Sequence, residues 1–373
     1  MTQWSMARTP PTPATASTPG PARSISSGDR VVVTGAAGFI GSAVTRALLA
    51  RDAHVVAAVE PHGDERNLDA ISDDRVERRT VDLRDADDVV DLCAGARYVF
   101  HLAAIYAFWA RDPKSFAAVN VGGTLNVLAA VRAAGCERMV YTSTVGVLGV
   151  DGTAGGRPAD ETAYADIAHL FGSYKRTKYV AEHEVLRAAA EGLPLSIVLP
   201  TFPLGTGDRR PTPTGKLIVD FLNGRMPAFV DTTMNVEHVD DLAAGHVAAL
   251  QRGANGRSYI LGGENQSMQS LLAMLADCTG LPAPTRQAPK ALALAAGVAS
   301  QVVEGRLLKR EPNVSIEAAR MSTTHMRFDD TRARTEIGYR SRPARDALED
   351  SARWFVENGY VNSKRRARIA WRK

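Results

Sequence analysis

Cysteine is scarce in this chain, and no long apolar run is present. The 373 residues include three cysteines, Cys93, Cys136 and Cys278, which are scattered and form no C-x-x-C pair. A set of this kind argues against a disulfide framework or a zinc site, and it predicts a reducing, cytoplasmic environment with no bound metal. No run reaches the roughly 18 apolar residues that a transmembrane helix needs, so we expect no integral membrane segment.

The charge excess is small and is concentrated at one end. The formal net charge is +4, and much of the excess lies in K-R-R-A-R-I-A-W-R-K, residues 364–373. Such a tail could contact nucleic acid or acidic lipid, but we expect residues 361–373 to be a solvated, frayed terminus with no nucleic-acid partner. Residues 1–29 are rich in Pro, Ser, Thr and Ala without an apolar period. They are predicted to be disordered and lack the continuous apolar core of a secretory signal.

A strand, a glycine-rich turn and a helix open the patterned part of the chain. Val31–Val33 is typical of a strand buried on both faces, and Phe39–Leu49 has the pattern of a helix. N–H groups at such a turn can bind a pyrophosphate, although an ordinary βα turn is the alternative. The residues predicted to hold this part of a dinucleotide are Gly35, Gly38, Phe39, Ile40 and Gly41.

Further strands alternate with helices through residue 200, which predicts an α/β fold with a doubly wound parallel sheet. The predicted strands are His54–Val59, Val76–Val81, Tyr98–His101, Glu137–Ser143 and Leu195–Leu199. Residues near their carboxyl ends are the expected remaining contacts of a dinucleotide: Asp82, Leu83, Leu102, Ala103, Ala104, Pro200 and Thr201.

Glu60 ends the second predicted strand, 19 residues after Gly41. A carboxylate at this place can accept hydrogen bonds from both adenosine ribose hydroxyls and repels a 2′-phosphate, so it favours NAD over NADP. His62 and Arg66 lie nearby and could weaken that preference, and a solvent-facing loop acid is the alternative.

Tyr174 and Lys178 are four residues apart in a predicted helix, which places the phenol and the ammonium on one helical face. Tyrosine has a pKa near ~10, and we expect a neighbouring ammonium and an oxidised nicotinamide to lower it toward the working range. The pair could then take a proton from an alcohol or donate one to a carbonyl. Thr144 adds a hydroxyl just beyond the fifth strand.

The motifs TGAAGFIG, HLAA, NVGGT, YTSTV and YKRTK, in this order, resemble an extended short-chain dehydrogenase/reductase of the NAD-dependent epimerase/dehydratase family over Arg30–Tyr360. FWARD, PTPTG, VDFLNG and YILGGEN resemble the hopanoid-associated sugar epimerase group, which is close to the dihydroflavonol reductases. Members near that group often carry Arg at the position of Glu60 and use NADP, so the choice of cofactor stays open.

The resemblance implies roles for matching positions. Thr144, in place of the usual Ser, would hydrogen-bond the substrate oxygen, and Tyr174 would be the general acid/base. Lys178 would tune Tyr174 and bind the nicotinamide ribose, whereas Asn120 would brace the site. A homodimer through the helices around Pro113–Ala134 and Ser173–Ala190 is a further expectation of the same origin.

The resemblance also implies a domain plan and a small-molecule substrate. The dinucleotide-binding domain would cover 30–200 and a smaller C-terminal α/β substrate lobe 201–360, with 236–250 returning to the core. The candidate substrate contacts are Tyr106, Phe108, Trp109, Arg209, Arg210 and Lys216, each of which also has a structural alternative as core or solvated loop. Asp240 and Asp241 are expected to cap a helix, and His238 and His246 lack metal-ligand spacing.

Three functions follow as hypotheses. A sugar epimerase of the hopanoid-associated type is preferred, and an NADPH-dependent reductase of an apolar ketone or aldehyde is the alternative, since no asparagine follows the sixth strand in L-P-T-F-P-L-G-T-G. A non-catalytic cofactor sensor or RNA-binding protein is a third, against which the complete set Thr144, Tyr174 and Lys178 argues.

Ala291–Val303 is predicted to be a helix that packs on the protein, with a helix lying on a membrane surface as the alternative.

Overall fold

The computed structural model describes residues 24–107, 109, 110, 112–150, 155–308, 312 and 314–372. Its centre is a seven-stranded parallel sheet with strand order β3-β2-β1-β4-β5-β6-β9. The strands are β1 Arg30–Thr34, β2 His54–Val59, β3 Val76–Thr80, β4 Tyr98–His101, β5 Arg138–Thr142, β6 Leu195–Pro200 and β9 Ser258–Leu261. The expected α/β fold with a doubly wound sheet is therefore confirmed, because the strand order reverses between β1 and β4.

Both faces of this sheet are covered, as the valine-rich strands require. Val32 belongs to the apolar cluster on one face, and Val31 and Val33 belong to the cluster on the other; all three side chains are fully buried. The helices of this half are α1 Phe39–Leu49, α2 Arg66–Asp69, α3 Ala86–Cys93, α4 Lys114–Phe116, α5 Thr124–Ala133, α6 Ser173–Ala190 and α8 Val239–Arg252. The three cysteines are free and buried.

Helices α4 and α5 form one continuous helix, Lys114–Ala133, whose middle part, Ala117–Gly123, is π-helical. It is 20 residues long with a mean hydropathy of 1.3, so by length and composition alone it is long and apolar enough to cross a membrane. Half of it is buried, and it packs against α3 and α6. It is therefore a helix of the layer that covers one face of the sheet, with its apolar side packed on neighbouring elements. The expected homodimer through this region stays a prediction.

The C-terminal lobe has a three-stranded sheet with order β10-β8-β7, in which β7 and β8 are parallel and β10 is antiparallel to β8. Its strands are β7 Phe202–Leu204, β8 Thr233–His238 and β10 Glu264–Ser267. Its helices are α7 Pro213–Leu222, α9 Met268–Thr279, α10 Lys290–Ser300, α11 Ile316–Met321, α12 Ala344–Glu357 and α13 Ser363–Arg366. Apolar side chains of α7, α9 and α12 form its own core.

The chain passes between the two halves more often than the sequence analysis expected. Helix α8 packs on α1, and its first turn contains Asp240 and Asp241 while His238 is the N-cap. Strand β9, which the sequence analysis left in the lobe, pairs with β6 as the last strand of the large sheet. Helix α8 precedes β9 as its crossover helix, but the lobe strands β7 and β8 lie between β6 and α8 along the chain, so the regular alternation of strand and helix is interrupted there.

Both termini are more ordered than expected where they are described. Residues 1–23 lie outside the described part, but the predicted disorder of 24–29 is wrong: Ile25 is buried in the core and Asp29 pairs with Arg97 at 2.9 Å. The expected frayed C-terminus is wrong as well. Ala370 donates its N–H to the Thr279 carbonyl at 2.9 Å, and Trp371 packs on the lobe, because apolar residues interleave with the basic ones.

The prediction that Ala291–Val303 packs on the protein is wrong for most of this segment, because most of its side chains are exposed. Helix α10 continues as a π-helical segment, Gln301–Leu307, and Gly297 is the one buried residue of α10.

Candidate active site

The glycine turn between β1 and α1 is built by close backbone contacts. Gly35 has φ +70°, and a Cβ there would lie 2.9 Å from the Cα of Ala103. A Cβ on Gly41 would lie 2.0 Å from the Gly35 carbonyl oxygen. Only glycine meets both requirements at Gly35, namely the left-handed conformation and the close approach of β4.

The start of α1 fits a pyrophosphate. Gly38 is the N-cap, no side chain caps the helix, and the first turn contains no acidic residue. The N–H groups of Phe39, Ile40 and Gly41 are therefore left for an anion, and the helix dipole favours a negative charge there. The residues present thus fit a dinucleotide cofactor, with the glycines leaving room for its phosphates.

A buried hydrogen-bond chain positions the segment after β4. The Thr34 hydroxyl accepts the N–H groups of Leu102 and Ala103, both at 3.2 Å, and lies 2.7 Å from Nδ1 of His101. Nε2 of His101 lies 3.0 Å from the Thr124 hydroxyl. Burial lowers the pKa of His101 to about 3, so the ring is neutral and links β1, β4 and α5. The backbone of residues 102–104 is thereby held beside the glycine turn.

The acidic end of β2 is open, and the nearby arginine is engaged. Glu60 is exposed at the carboxyl end of β2. Arg66 donates from Nε to Oδ1 of Asp64 at 2.8 Å and from Nη2 to Oδ2 at 2.5 Å. At the next strand Asp82 is paired in the same way with Arg84. The cation nearest in sequence to Glu60 that could bind a 2′-phosphate thus already has a carboxylate partner.

Thr144 and Tyr174 meet where β5 ends and α6 begins. Thr144 follows β5, and its hydroxyl accepts the Gly146 N–H at 3.1 Å. Burial raises the pKa of Tyr174, against the opposing effect of a hydrogen bond with Thr144. In the protein alone burial outweighs every other influence on this pKa, and the lowering expected from the ammonium together with an oxidised nicotinamide stays a prediction. Tyr174 therefore keeps its proton in the protein alone.

Lys178 lies behind Tyr174, against the end of β5. Its Nζ donates to the Thr142 carbonyl at 2.5 Å and lies 4.6 Å from the centre of the Tyr141 ring. Burial lowers the pKa of Lys178 to about 7, and the Glu182 carboxylate opposes that effect. A buried ammonium loses its hydration, which is why its charged form is disfavoured.

Glu182 is a site residue that the sequence analysis missed. It is fully buried one turn beyond Lys178 and accepts hydrogen bonds from the Ser143 hydroxyl and, at 2.5 Å, from the Tyr164 hydroxyl. The signal was available, since Tyr174, Lys178 and Glu182 continue the same four-residue spacing along one helical face.

Two polar groups brace the walls of the site. Asn120 accepts the Ile105 N–H at 2.7 Å and donates to the Thr177 hydroxyl at 3.1 Å, so it ties the segment after β4 to α6. Glu237 accepts the N–H groups of Thr201 and Phe202 at 2.9 and 2.7 Å, and burial raises its pKa to about 8. No local pattern marks Glu237, because its partners lie 35 residues away in sequence.

A cavity of about 500 Å³ opens beside Thr144 and Tyr174. Tyr106 and Trp109 line it together with Thr201, and the Tyr106 ring centroid lies 4.8 Å from that of Tyr174. The opposite wall comes from the lobe and includes apolar side chains of widely separated segments: Phe202, Leu217, Met234, Met268, Met321, Met326 and Phe328. Phe108, a further candidate for this wall, lies outside the described residues.

The expected substrate contact at Arg209 is not at the cavity. Arg209 stacks over the Trp354 ring at 5.8 Å, and its carbonyl accepts the Tyr360 hydroxyl at 2.5 Å. Arg210 and Lys216 line the cavity instead. The basic loop contributes alternate residues to its two sides, and the sequence does not show which side faces the cavity.

Carboxylates lie beside the cations of the cavity. Lys216 pairs with Asp220 at 2.6 Å, and Arg210 lies 4.0 Å from Asp64. The third cation, Lys175, is close to Glu317. Burial raises the pKa of Glu317 to about 7, and the positive charge of Lys175 opposes that effect. Oε1 of Glu317 is buried with no hydrogen-bond partner, at the edge of a side cavity of about 290 Å³ that shares Trp109 with the larger one. Among the described residues no cluster of His, Cys, Asp and Glu could hold a metal ion.

Comparison with known proteins gives consistent similarities. Residues 31–262 match the model of the NAD dependent epimerase/dehydratase family. The chain is 40% identical to the protein named Putative dihydroflavonol 4-reductase of Synechocystis sp. over 91% of this chain and 98% of that protein. It is 32% identical to sterol demethylase protein B of Methylococcus capsulatus over 88% and 99% of the two chains.

A solved structure extends this comparison. The chain superposes on a nucleoside-diphosphate-sugar epimerase from Pseudomonas aeruginosa with a TM-score of 0.72 and 27% identity, covering 89% of this chain and 99% of that one. The similarity therefore includes proteins named as reductases and as epimerases.

Proposed function

The chain belongs to the NAD-dependent epimerase/dehydratase family of extended short-chain dehydrogenases/reductases, and from that premise we propose that it is an NAD-dependent oxidoreductase that interconverts an apolar ketone and its alcohol. This takes the reductase hypothesis, with NAD in place of the NADPH that it assumed, over the sugar epimerase that the sequence motifs favour. The observation that carries the proposal is the character of the cavity beside Tyr174.

The cavity suits an apolar molecule better than a nucleotide sugar. A diphosphate group needs cationic side chains or N–H groups that are not already neutralised. In the described part of the chain, the cations that line the cavity are Lys175, Arg210 and Lys216. Asp220 pairs with Lys216 and Glu317 lies near Lys175, whereas Arg210 lies 4.0 Å from Asp64, which is also hydrogen-bonded to Arg66. The remaining lobe wall is dominated by methionine, leucine and phenylalanine side chains, which favour binding of hydrocarbon surface. The names of the two curated relatives, a dihydroflavonol reductase and a sterol demethylase protein, agree with an apolar ring compound.

The residues of the site divide the work of proton transfer and orientation. A bound nicotinamide dinucleotide would accept or supply the hydride. Thr144 donates a hydrogen bond to the substrate oxygen, and Tyr174 donates its phenolic proton to that oxygen during reduction and takes it back during oxidation. The charged form of Lys178, held by the Thr142 carbonyl, stabilises the phenolate of Tyr174. Glu182 in turn favours the charged form of Lys178.

The choice of NAD rests on the end of β2. Glu60 is exposed where the adenosine ribose is held in this fold, and Arg66 is engaged by Asp64 through two hydrogen bonds. A 2′-phosphate at this place would meet the Glu60 carboxylate, while the guanidinium nearest to it in sequence, Arg66, is held by Asp64.

The first experiment denatures the freshly purified protein and identifies the nucleotide it releases, then assays turnover. We expect little retained nucleotide, faster reduction of cyclic apolar ketones with NADH than with NADPH, and no conversion of UDP-glucose to UDP-galactose. Stoichiometric NAD that resists dialysis, together with epimerisation of UDP-sugars, would overturn the proposal in favour of an epimerase.

The cofactor assignment has its own test. Glu60→Ala should narrow the ratio of the Kd values for NADPH and NADH, measured by the fluorescence of the bound nicotinamide. Glu65→Ala is the matched control, because Glu65 lies nearby and contacts Arg78 at 3.5 Å instead. An unchanged ratio in Glu60→Ala, or a wild type that prefers NADPH, would contradict the assignment.

A further inference from the structure

Exposed apolar side chains are concentrated in one segment of the lobe. Among the described residues, twelve large apolar side chains are exposed, and eight of them lie between Leu292 and Val314. They belong to α10, to its π-helical continuation and to the residues that lead into α11: Leu292, Leu294, Val298, Val302, Val303, Leu307, Leu308 and Val314. We call this segment the apolar hairpin. Single exposed apolar residues are common on soluble proteins, but a contiguous group of this size marks an interaction site.

The hairpin is attached along one narrow edge. Gly297 is the buried residue of α10, and a Cβ there would lie 2.6 Å from that of Ala319 in α11. After Lys290, the exposed first residue of α10, the exposed positions of the helix are Ala291, Leu292, Leu294, Ala295, Ala296, Val298 and Ala299. At 100° per residue they cover an arc of about 200°, without a charged side chain among them.

The width of this arc distinguishes between occupants. A second protein helix or a second copy of the chain covers a stripe of roughly 100° on a helix. A convex arc about twice as wide is covered completely by a fluid medium that closes around the helix, as the acyl and headgroup boundary of a bilayer does.

The charges at the ends of the hairpin fit an anionic lipid surface. In the sequence Lys290 lies at the start of the hairpin, and Arg306, Lys309 and Arg310 lie toward its end beside one acidic residue, Glu311. The side chains of those three arginine and lysine residues lie outside the described part, so their contribution here is their charge alone. The other acidic residue of the hairpin, Glu304, is buried and accepts the Ser300 hydroxyl at 2.6 Å. Basic residues beside an apolar helix add electrostatic attraction to anionic headgroups.

The hairpin also forms part of the cavity wall. Pro312 of the hairpin lines the large cavity, and Gln301 of the hairpin lines the side cavity. The adjoining α11 continues these walls, with Ala318 and Met321 at the large cavity and Ile316 at the side cavity. The same short segment thus presents apolar side chains to the outside and encloses the site on the inside.

We propose that the apolar hairpin is a docking surface for an anionic phospholipid bilayer, on which the protein lies as a peripheral, interfacial enzyme. Docking brings the cavity next to the acyl region, from which an apolar substrate can enter without crossing bulk water. The proposal rests on the exposed hairpin and does not depend on whether the enzyme is a reductase or an epimerase.

Vesicle flotation of the full chain tests the proposal. We expect the protein to float with vesicles of phosphatidylcholine mixed with phosphatidylglycerol, and to float less with phosphatidylcholine alone. The double variant Leu292→Ser, Val298→Ser should lower the bound fraction roughly tenfold, because it removes two exposed hydrocarbon side chains from the surface. The matched control, Val90→Ser, Leu125→Ser, changes residues of similar exposure on α3 and α5 and should leave binding unchanged.

A second measurement does not depend on loss of binding. The emission of Leu294→Trp should shift to shorter wavelength when anionic vesicles are added and stay fixed without them. Failure of the wild type to float, equal losses in the two double variants, or an unshifted emission would each overturn the proposal. So would a dimer in light scattering that dissociates in Leu292→Ser, Val298→Ser without any vesicle binding, which would identify a second copy as the occupant.

Discussion

The cofactor crevice and the substrate cavity share Tyr174 but differ in how their buried acids are satisfied. On the crevice side, Glu182 accepts hydrogen bonds from Ser143 and Tyr164 and faces Lys178. On the cavity side, Glu317 has a buried oxygen without a hydrogen-bond partner. The crevice is thus assembled by the chain itself, whereas the cavity wall contains a polar group that the chain does not satisfy.

The difference follows from which elements build each side. The crevice is formed by neighbouring strands of one sheet and by α6, whose backbone spacing is set by hydrogen bonds. The cavity wall combines the loop after β4, α7, β8 and α11, which come from distant parts of the chain. Variants on the crevice side should therefore change the reaction rate and cofactor binding. A variant of Glu317 on the cavity side should change how the stability of the protein depends on pH.

The largest effect is expected for Tyr174→Phe. The variant keeps the ring that contacts Tyr106 but loses the transferable proton, so kcat should fall by about 10²- to 10⁴-fold while NADH binding is retained. Tyr179→Phe is the control on the same helix, since Tyr179 stacks on His183 at 4.1 Å and does not line the cavity. Similar kcat values for the two variants would remove Tyr174 from the proton-transfer step.

Gly35→Ala should break the crevice. A side chain at φ +70° costs about 1–2 kcal/mol, and contact with the Cα of Ala103 adds about 1–3 kcal/mol, so the free energy of unfolding should fall by about 2–5 kcal/mol and NADH binding should be lost. Gly95→Ala separates the two contributions. Gly95 has φ +67° with open space around it, so only the conformational cost of about 1–2 kcal/mol is expected in urea unfolding. Equal losses in the two variants would show that the close approach to Ala103 does not matter.

Glu317→Gln should alter how stability depends on pH. Burial raises the pKa of Glu317 to about 7, above its unfolded value near 4.5. The free energy of unfolding is therefore highest below pH 4.5, where Glu317 is protonated in both the folded and the unfolded chain. It falls by up to about 3 kcal/mol as the pH rises from 4.5 through 7, because the unfolded chain then ionises Glu317 more readily than the folded one. Glutamine stays neutral, so the stability of the variant relative to the wild type should rise over that range in urea titrations. A constant difference between the two proteins from pH 4 to 8 would contradict burial of this charge.

The smallest effect is expected for Glu182→Gln, which tests the crevice side. Removing this carboxylate should lower the pKa of Lys178 below about 7, because Glu182 favours the ammonium. If the pKa falls by about one unit, the charged fraction at neutral pH falls about fivefold, and the alkaline limb of the kcat/KM profile moves to lower pH. Glu191→Gln, on an exposed acid just beyond α6 that pairs with Arg132, should leave the profile in place. A shift in both variants would point to general electrostatics rather than to Lys178.

Much of the crevice could be predicted from the sequence because its determinants are local. Gly35, Gly38 and Gly41 lie within seven residues, and Tyr174 and Lys178 lie within one turn of a helix. Backbone geometry converts such spacings directly into positions in space. The fold class followed for the same reason, from the alternation of valine-rich strands and helices.

The cavity could be predicted only in part. Tyr106, Trp109 and Lys216 line it, but Arg209 lies on the other side of its loop and stacks on Trp354. Glu237 was missed because its hydrogen-bond partners are far away in sequence, and Glu317 because the residue it lies against, Gly172, is far away in sequence as well. No local periodicity records which side of an irregular loop faces a cavity.

The sequence by itself determined the parallel sheet, the glycine turn and the spacing of Tyr174 and Lys178, because strand alternation, left-handed glycine and helical periodicity are properties of short segments. Only the tertiary structure decided that β9 joins the large sheet, that burial keeps the proton on Tyr174, and that the apolar residues of α10 face outward. Burial is a property of everything that surrounds a residue. It therefore depends on how distant segments pack together, which no single stretch of the sequence contains.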